Sequence, residues 1–119
     1  MIVDRGALTH NNTADLQKVV EMIRGSLASN GRFMGMDWFS TRHDALARDR
    51  SNNVDAHTRV FREGYFDGLG NVHFSDVDHL KELFHGFDFL FLKEKIEIEQ
   101  IPEETTTAAW DFVVRVDEG

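Results

Sequence analysis

The chain predicts a layered α/β domain built on a small sheet of about four strands, parallel at its start and carrying a reversed strand at its end. Three observations predict it. The stretch from Gly31 to His43, GRFMGMDWFSTRH, is apolar on both faces through Phe33, Met34, Met36, Trp38 and Phe39. It ends in a polar cluster, as a buried central strand does when ligand-facing groups sit at its carboxyl end. An amphipathic helical pattern precedes this stretch. Two strand patterns at the far end of the chain are joined without a helix, which makes them antiparallel neighbours.

The elements follow in order. Met1–Val3 is apolar but shorter than the usual five or so residues of a strand, so it reads as a strand without its beginning. Asn12 and Thr13 supply a helix cap, Asp15 falls in the positive first turn, and Leu16, Val19, Val20, Ile23 and Leu27 keep the i, i+3, i+4 spacing, predicting a helix over 13–29. Asn30-Gly31 offers left-handed residues to end it. Strand, helix and strand in that order make the first two strands parallel through a right-handed crossover.

From Asp44 to Val72 the periodicity fades into ARDRSNN, DAHT and REGYFDGLGN, and the segment predicts a lid-like loop. Gly64, Gly68 and Gly70 lack the spacing of a phosphate cradle. Ser75-Asp76-Val77-Asp78 is a capping-box pattern for a second helix over 76–85, with Val77, Leu80 and Phe84 on its inner stripe. Phe87–Leu92 is apolar on both faces, and Glu94, Ile96, Ile98 and Gln100 then share one face against Lys93, Lys95, Glu97 and Glu99 on the other. This is a strand that starts buried and ends exposed. Pro102 stops it, EETTT turns the chain, and Ala108, Trp110, Phe112, Val114 and Val116 alternate as a final strand.

With 119 residues, 41% of them hydrophobic, the chain is expected to form one domain over 1–119. Thirteen basic against 21 acidic residues give a net charge of −8, which repels a nucleic-acid backbone. No apolar run reaches the roughly 20 residues of a membrane span, so no membrane partner and a cytoplasmic location are expected. The absence of cysteine removes disulfides, thiolate metal sites and a cysteine nucleophile, leaving histidine, carboxylate and hydroxyl chemistry.

The ordered series IVDRGALTH, the amphipathic helix, SNGRFMGMDWFSTRH, the lid, VHFSDVDHLKELFHGFDFLFL and a hairpin ending AAWDFVVRV resembles the carboxyl-terminal half of class I S-adenosylmethionine-dependent methyltransferases. The resemblance covers nearly the whole chain and implies a partial Rossmann-like sheet in which Met1–Val3, Gly31–Phe39, Phe87–Ile98 and Thr107–Val116 stand for the family's fourth to seventh strands. It also implies two helices on one sheet face. The turn that the family writes Pro-Gly-Gly is Ser29-Asn30-Gly31 here. The family's glycine-rich first turn and ribose-binding acid would lie ahead of Met1. Complete relatives therefore use S-adenosylmethionine, whereas this chain alone is expected to bind it weakly or not at all.

By the same resemblance, Asp4, Arg5 and Gly6 mark the loop beside the methionine end of the cofactor, although an ordinary turn with a surface ion pair explains them equally well. Ser40, Thr41 and His43 mark the substrate side. His43 is a candidate general base, with a solvated loop histidine as the bland alternative. The His73–His79 segment and His57 carry metal-ligand residue types in a spacing that matches no standard motif, so no metal is expected. Two functions remain in play: methyl transfer to a small molecule under the lid, and a non-catalytic dimerisation or interaction module that keeps the half-fold. A hydrolase built on the histidines lacks a nucleophile elbow and ranks last. With helices on one face only, the other sheet face, including residues such as Phe33 or Met34, Phe89 or Leu90, and Phe112 or Val113, is expected to drive homodimerisation, through that face or the unpaired edge at Met1–Val3.

Overall fold

A computed structural model describes residues 1–117 of the chain. Its main sheet has four strands in the order β1 (Ile2–Arg5), β2 (Arg32–Phe39), β7 (Thr105–Val116) and β6 (Phe87–Glu99). β1 and β2 are parallel, and β7 runs antiparallel to both of its neighbours. This is the expected α/β sheet with a reversed last strand. Its first strand extends to Arg5, so Asp4 and Arg5 belong to the strand and only Gly6 to the turn.

Helix α1 (Thr13–Ser26) starts where Asn12 accepts the Asp15 amide, and Leu16, Val20 and Ile23 form its buried stripe. It ends three residues before the expected point, because Leu27 is already extended and the Gly31 amide closes a turn on the Ala28 carbonyl at 2.7 Å. The Asn30-Gly31 left-handed ending is therefore not used. Helix α3 (Val77–Leu83) is capped by Asp76, whose carboxylate accepts the His79 amide, and not by Ser75. Ser75 is instead bridged to Ser40 beyond the end of β2.

Both helices pack on one face of the sheet. Leu16, Val20 and Ile23 from α1 and Leu80 and Leu83 from α3 share one core with Phe33, Trp38, Phe112 and Val114. The sheet reaches that core through a bulge in β2 between Gly35 and Trp38, where Asp37 takes φ 56°. Simple alternation from Phe33 would place Asp37 inward and Trp38 outward. The extra residue reverses this, burying the indole and turning the carboxylate out. Gly35 lies beneath the ring of Phe112, its partner across the ladder, and a Cβ there would collide with that ring.

The segment over 44–72 is not a loop. After the short α2 (Ala45–Arg48), strands β3 (Ser51–Asp55), β4 (Thr58–Phe61) and β5 (Asn71–His73) form a second, antiparallel three-stranded sheet. A second core of Ala45, Phe61, Phe66, Val72 and Phe74 sits beneath it, with Phe39 and Leu46 packed alongside. Of these side chains β4 contributes Phe61, β5 contributes Val72 and β3 none, so the segment leaves no periodic trace in the sequence.

Candidate functional site

A cavity of about 460 Å³ opens at the carboxyl end of β2, between the outer face of the β6–β7 ribbon and the small sheet. Phe39, Ala108 and Ala109 supply apolar wall, and Tyr65 stands at the rim with 76% of its surface exposed. Asp37, Lys95 and Glu97 come from the main sheet, and His43, Asp44 and Arg48 from the segment leading into the small one. The position is where an open α/β sheet presents ligands, beyond the carboxyl end of a central strand.

The ionic order of this wall follows from the β2 bulge. Asp37 accepts from Arg5 at 2.9 Å and from Lys95, whose ammonium also lies 3.1 Å from Asp111. Hydrogen bonds from Lys95 and then Arg5 hold the Asp37 carboxyl below its usual range, and the same bond raises Lys95. Lys95 lies on the part of its strand that the sequence predicts to be exposed, yet it is the tie between β2, β6 and β7. Asp44 fixes the opposite side by accepting the Thr106 amide at 2.8 Å and facing Arg48 at 3.5 Å.

The candidates Ser40, Thr41 and His43 are separated by the structure. Ser40 is fully buried and donates to Glu94, which also pairs with Arg42 at 3.0 Å. Its hydroxyl lies on the helix-bearing side and ties β2 to β6. Thr41 is exposed beside Arg42 and the start of α3, away from the main cavity. His43 alone reaches that cavity.

His43 is neither a solvated loop histidine nor a free base. Its side chain is 7% exposed and lies among Phe39, Phe66 and Phe74. Burial pushes its pKa down, with Asp44 opposing. Its Nδ1 lies 3.2 Å from the Ala45 amide, which can only donate, so Nδ1 is an acceptor and the proton of the neutral ring is assigned to Nε2. His43 therefore has no free lone pair for proton abstraction and offers an N–H instead.

Asp4, Arg5 and Gly6 also divide. Asp4 turns inward, accepting the Trp38 indole N–H at 2.9 Å and the Leu8 amide at 3.3 Å. Arg5 turns outward to Asp37, and Gly6 makes the turn at φ 71°. A nucleoside cofactor needs an acidic acceptor for its ribose hydroxyls and a close-approach glycine turn. Here Asp4 is engaged by the indole and the amide and Arg5 by Asp37, and none of the three stands as a ribose acceptor in a glycine-rich turn, a part the resemblance does not give them.

No protein-family model and no curated protein matches the sequence. Solved structures do resemble its fold. An S-adenosylmethionine-dependent methyltransferase from Clostridium acetobutylicum ATCC 824 superposes with a TM-score of 0.59 at 12% identity, over 97% of this chain and 57% of that one. A structure concerned with conversion of a disulfide bond into a thioacetal group during echinomycin biosynthesis superposes with a TM-score of 0.56 at 15% identity, over 97% of this chain and 48% of that one. The chain thus spans about half the length of the structures it matches, and what it shares with them is the fold of S-adenosylmethionine-dependent methyltransferases.

Proposed function

We propose that this chain is the acceptor-side half of an S-adenosylmethionine-dependent methyltransferase, and that a small-molecule methyl acceptor occupies the cavity between the main sheet and the small one. The observation that carries this reading is the placement of that cavity: a volume of about 460 Å³, suited to a metabolite-sized ligand, at the carboxyl end of the central strand and bordered by a separate β layer. Likeness of fold to methyltransferases supports the reaction class, since such a scaffold works by positioning the acceptor for in-line attack and excluding water. In this role Phe39 and Tyr65 line the acceptor's apolar body, His43 donates from Nε2, and the Asp37–Lys95 pair fixes the polar end of the wall. The methyl donor requires a ribose acceptor and a glycine-rich turn in addition to Asp4, Arg5 and Gly6.

Amide chemical-shift mapping tests the reading with a library of small methyl-acceptor analogues. Shifts clustered at Phe39, His43, Tyr65 and Lys95 are expected, and shifts scattered over the surface or confined to the helices would refute it. The second reading is a non-catalytic module that pairs through its open sheet face. It is favoured by Val3, Leu90 and Phe91, which are exposed on or beside the side of the sheet that α1 and α3 do not cover.

A further inference from the structure

His57, His73 and His79 meet where the small sheet joins the body of the molecule. They come from the β3–β4 turn, β5 and α3. The rings of His57 and His79 are stacked, with centroids 3.5 Å apart and planes 12° apart. Nε2 of His73 lies 2.7 Å from Nε2 of His79, and Nδ1 of His73 lies 2.9 Å from the Thr58 hydroxyl. His73 and His79 are buried, and Nδ1 of His79 has no hydrogen-bond partner. Lone pairs lie in the plane of an imidazole, so two stacked rings do not aim theirs at a common point. The trio is therefore not arranged as a metal cage, and among the described residues no three such side chains are placed to hold a metal ion.

We propose that His57, His73 and His79 form a proton-sensitive latch that fastens the small sheet to α3 at neutral pH and releases it in acid. The contact between two Nε2 atoms holds only when one of them carries a proton and the other does not. The Asp55 carboxylate draws the Thr58 hydroxyl, which orients that hydroxyl to accept from Nδ1–H of His73. Nε2 of His73 is then the lone pair, and Nε2–H of His79 donates to it. A proton added to His73 places N–H against N–H and breaks the contact. A proton added to His79 puts charge against the face of His57.

The charged groups facing the trio set how acid acts on it. Asp55 at the end of β3 faces His73 and His79, and Asp76 and Glu82 face His79 from the cap and last turn of α3; Glu82 lies 3.8 Å from its Nδ1. Towards the turn before α1, His73 meets the backbone of Asn11. The nearby His10 is taken up by the Asn71 carbonyl. The acids partly offset added charge, yet burial and then the neighbouring His79 still pull His73 down to about 4, and burial followed by His57 lowers His79. Both rings are thus neutral when the latch is closed. Their stabilising effect is complete above the ordinary histidine value of 6.5 and is lost as pH falls through the window down to about 4.

Amide hydrogen exchange on the full chain, corrected for intrinsic chemistry, tests the latch at about pH 7.5 and about pH 5. Protection over β3–β5 is expected to fall on the order of 10- to 30-fold relative to α1 and β7, the factor that a histidine with those two pKa values supplies. In H73Q the side chain can no longer take a proton while its amide oxygen still accepts from Nε2–H of His79, so the acid-induced loss should shrink several-fold. Equal protection of β3–β5 at both pH values, or an undiminished acid response in this variant, would overturn the proposal. If that variant does not fold, side-chain nitrogen NMR on the unaltered chain decides. His73 and His79 should take protons together with the loss of β3–β5 protection, and independent titration of both near the ordinary histidine value with the sheet unmoved would refute the latch.

Discussion

At Gly35 the backbone passes beneath the Phe112 ring, and the close approach matters more there than any freedom of φ. Gly35→Ala is expected to destabilise the chain by about 1–3 kcal/mol through overpacking, read as a lower urea midpoint at unchanged slope. A change within about 0.5 kcal/mol would mean that Phe112 moves aside freely. Asp4 offers a second test on this scale. Its carboxylate accepts hydrogen bonds from two N–H groups inside the fold, so Asp4→Ala should cost about 1–3 kcal/mol by leaving the Trp38 indole N–H without an acceptor. Asp4→Asn, which keeps an oxygen there, should recover part of the loss. Equal stability of all three proteins would return Asp4 to the status of a surface group available for binding.

Among the elements, the small β3–β5 sheet is the one whose nature changes the functional argument. Its core is aromatic but thin, with Phe66 at the centre of contacts to Phe39, Phe61, His43 and Phe74. Phe66→Ala should cost about 3–5 kcal/mol locally, and this loss should appear as exchange of the β3–β5 amides while α1 keeps its protection. Simultaneous loss in both regions would show that the small sheet and the main sheet unfold as one unit. In the unaltered protein the ordered strands and the aromatic core predict protection above that of a bare loop. Exchange over 44–72 as fast as an open chain would restore the lid-loop expectation.

For the molecule as a whole, the two helices share one side of the sheet and the other side is left partly apolar. Met34 and Val113 face one another across that outer side, where Phe91 is also exposed, and Lys93 lies 5.8 Å from the Phe91 ring centre. Homodimerisation through this face is the expected outcome at micromolar concentration, and Phe91→Asp should disperse the dimer because a charge buried there has no partner. Sedimentation of the unaltered chain as a monomer would refute it. Binding of S-adenosylmethionine by the chain alone should be weaker than roughly 10 μM, about −7 kcal/mol. A tighter calorimetric constant would reveal a compensating nucleoside site within the chain.

The sequence by itself determined the main sheet and its helices, because each carries a local signal. The i, i+3, i+4 stripe of Leu16, Val20 and Ile23, the alternation of Ala108 to Val116 and the helix-free connection before β7 depend only on near neighbours. Only the tertiary structure decided which face each central side chain takes. A single extra residue at Asp37 reversed the alternation of β2, and its partners Arg5, Lys95 and Asp111 lie 32, 58 and 74 positions away along the chain. The cavity and the histidine trio were hidden for the same reason. Phe39, His43, Tyr65 and Lys95 share no spacing, and the aromatic residues of the small sheet are too few per strand to form a period. The bridge between Ser40 and Ser75 closes the intervening segment on itself, and Lys95 meets it because Phe39 and Lys95 both pair with Ala109 of β7, long-range contacts that no local pattern encodes.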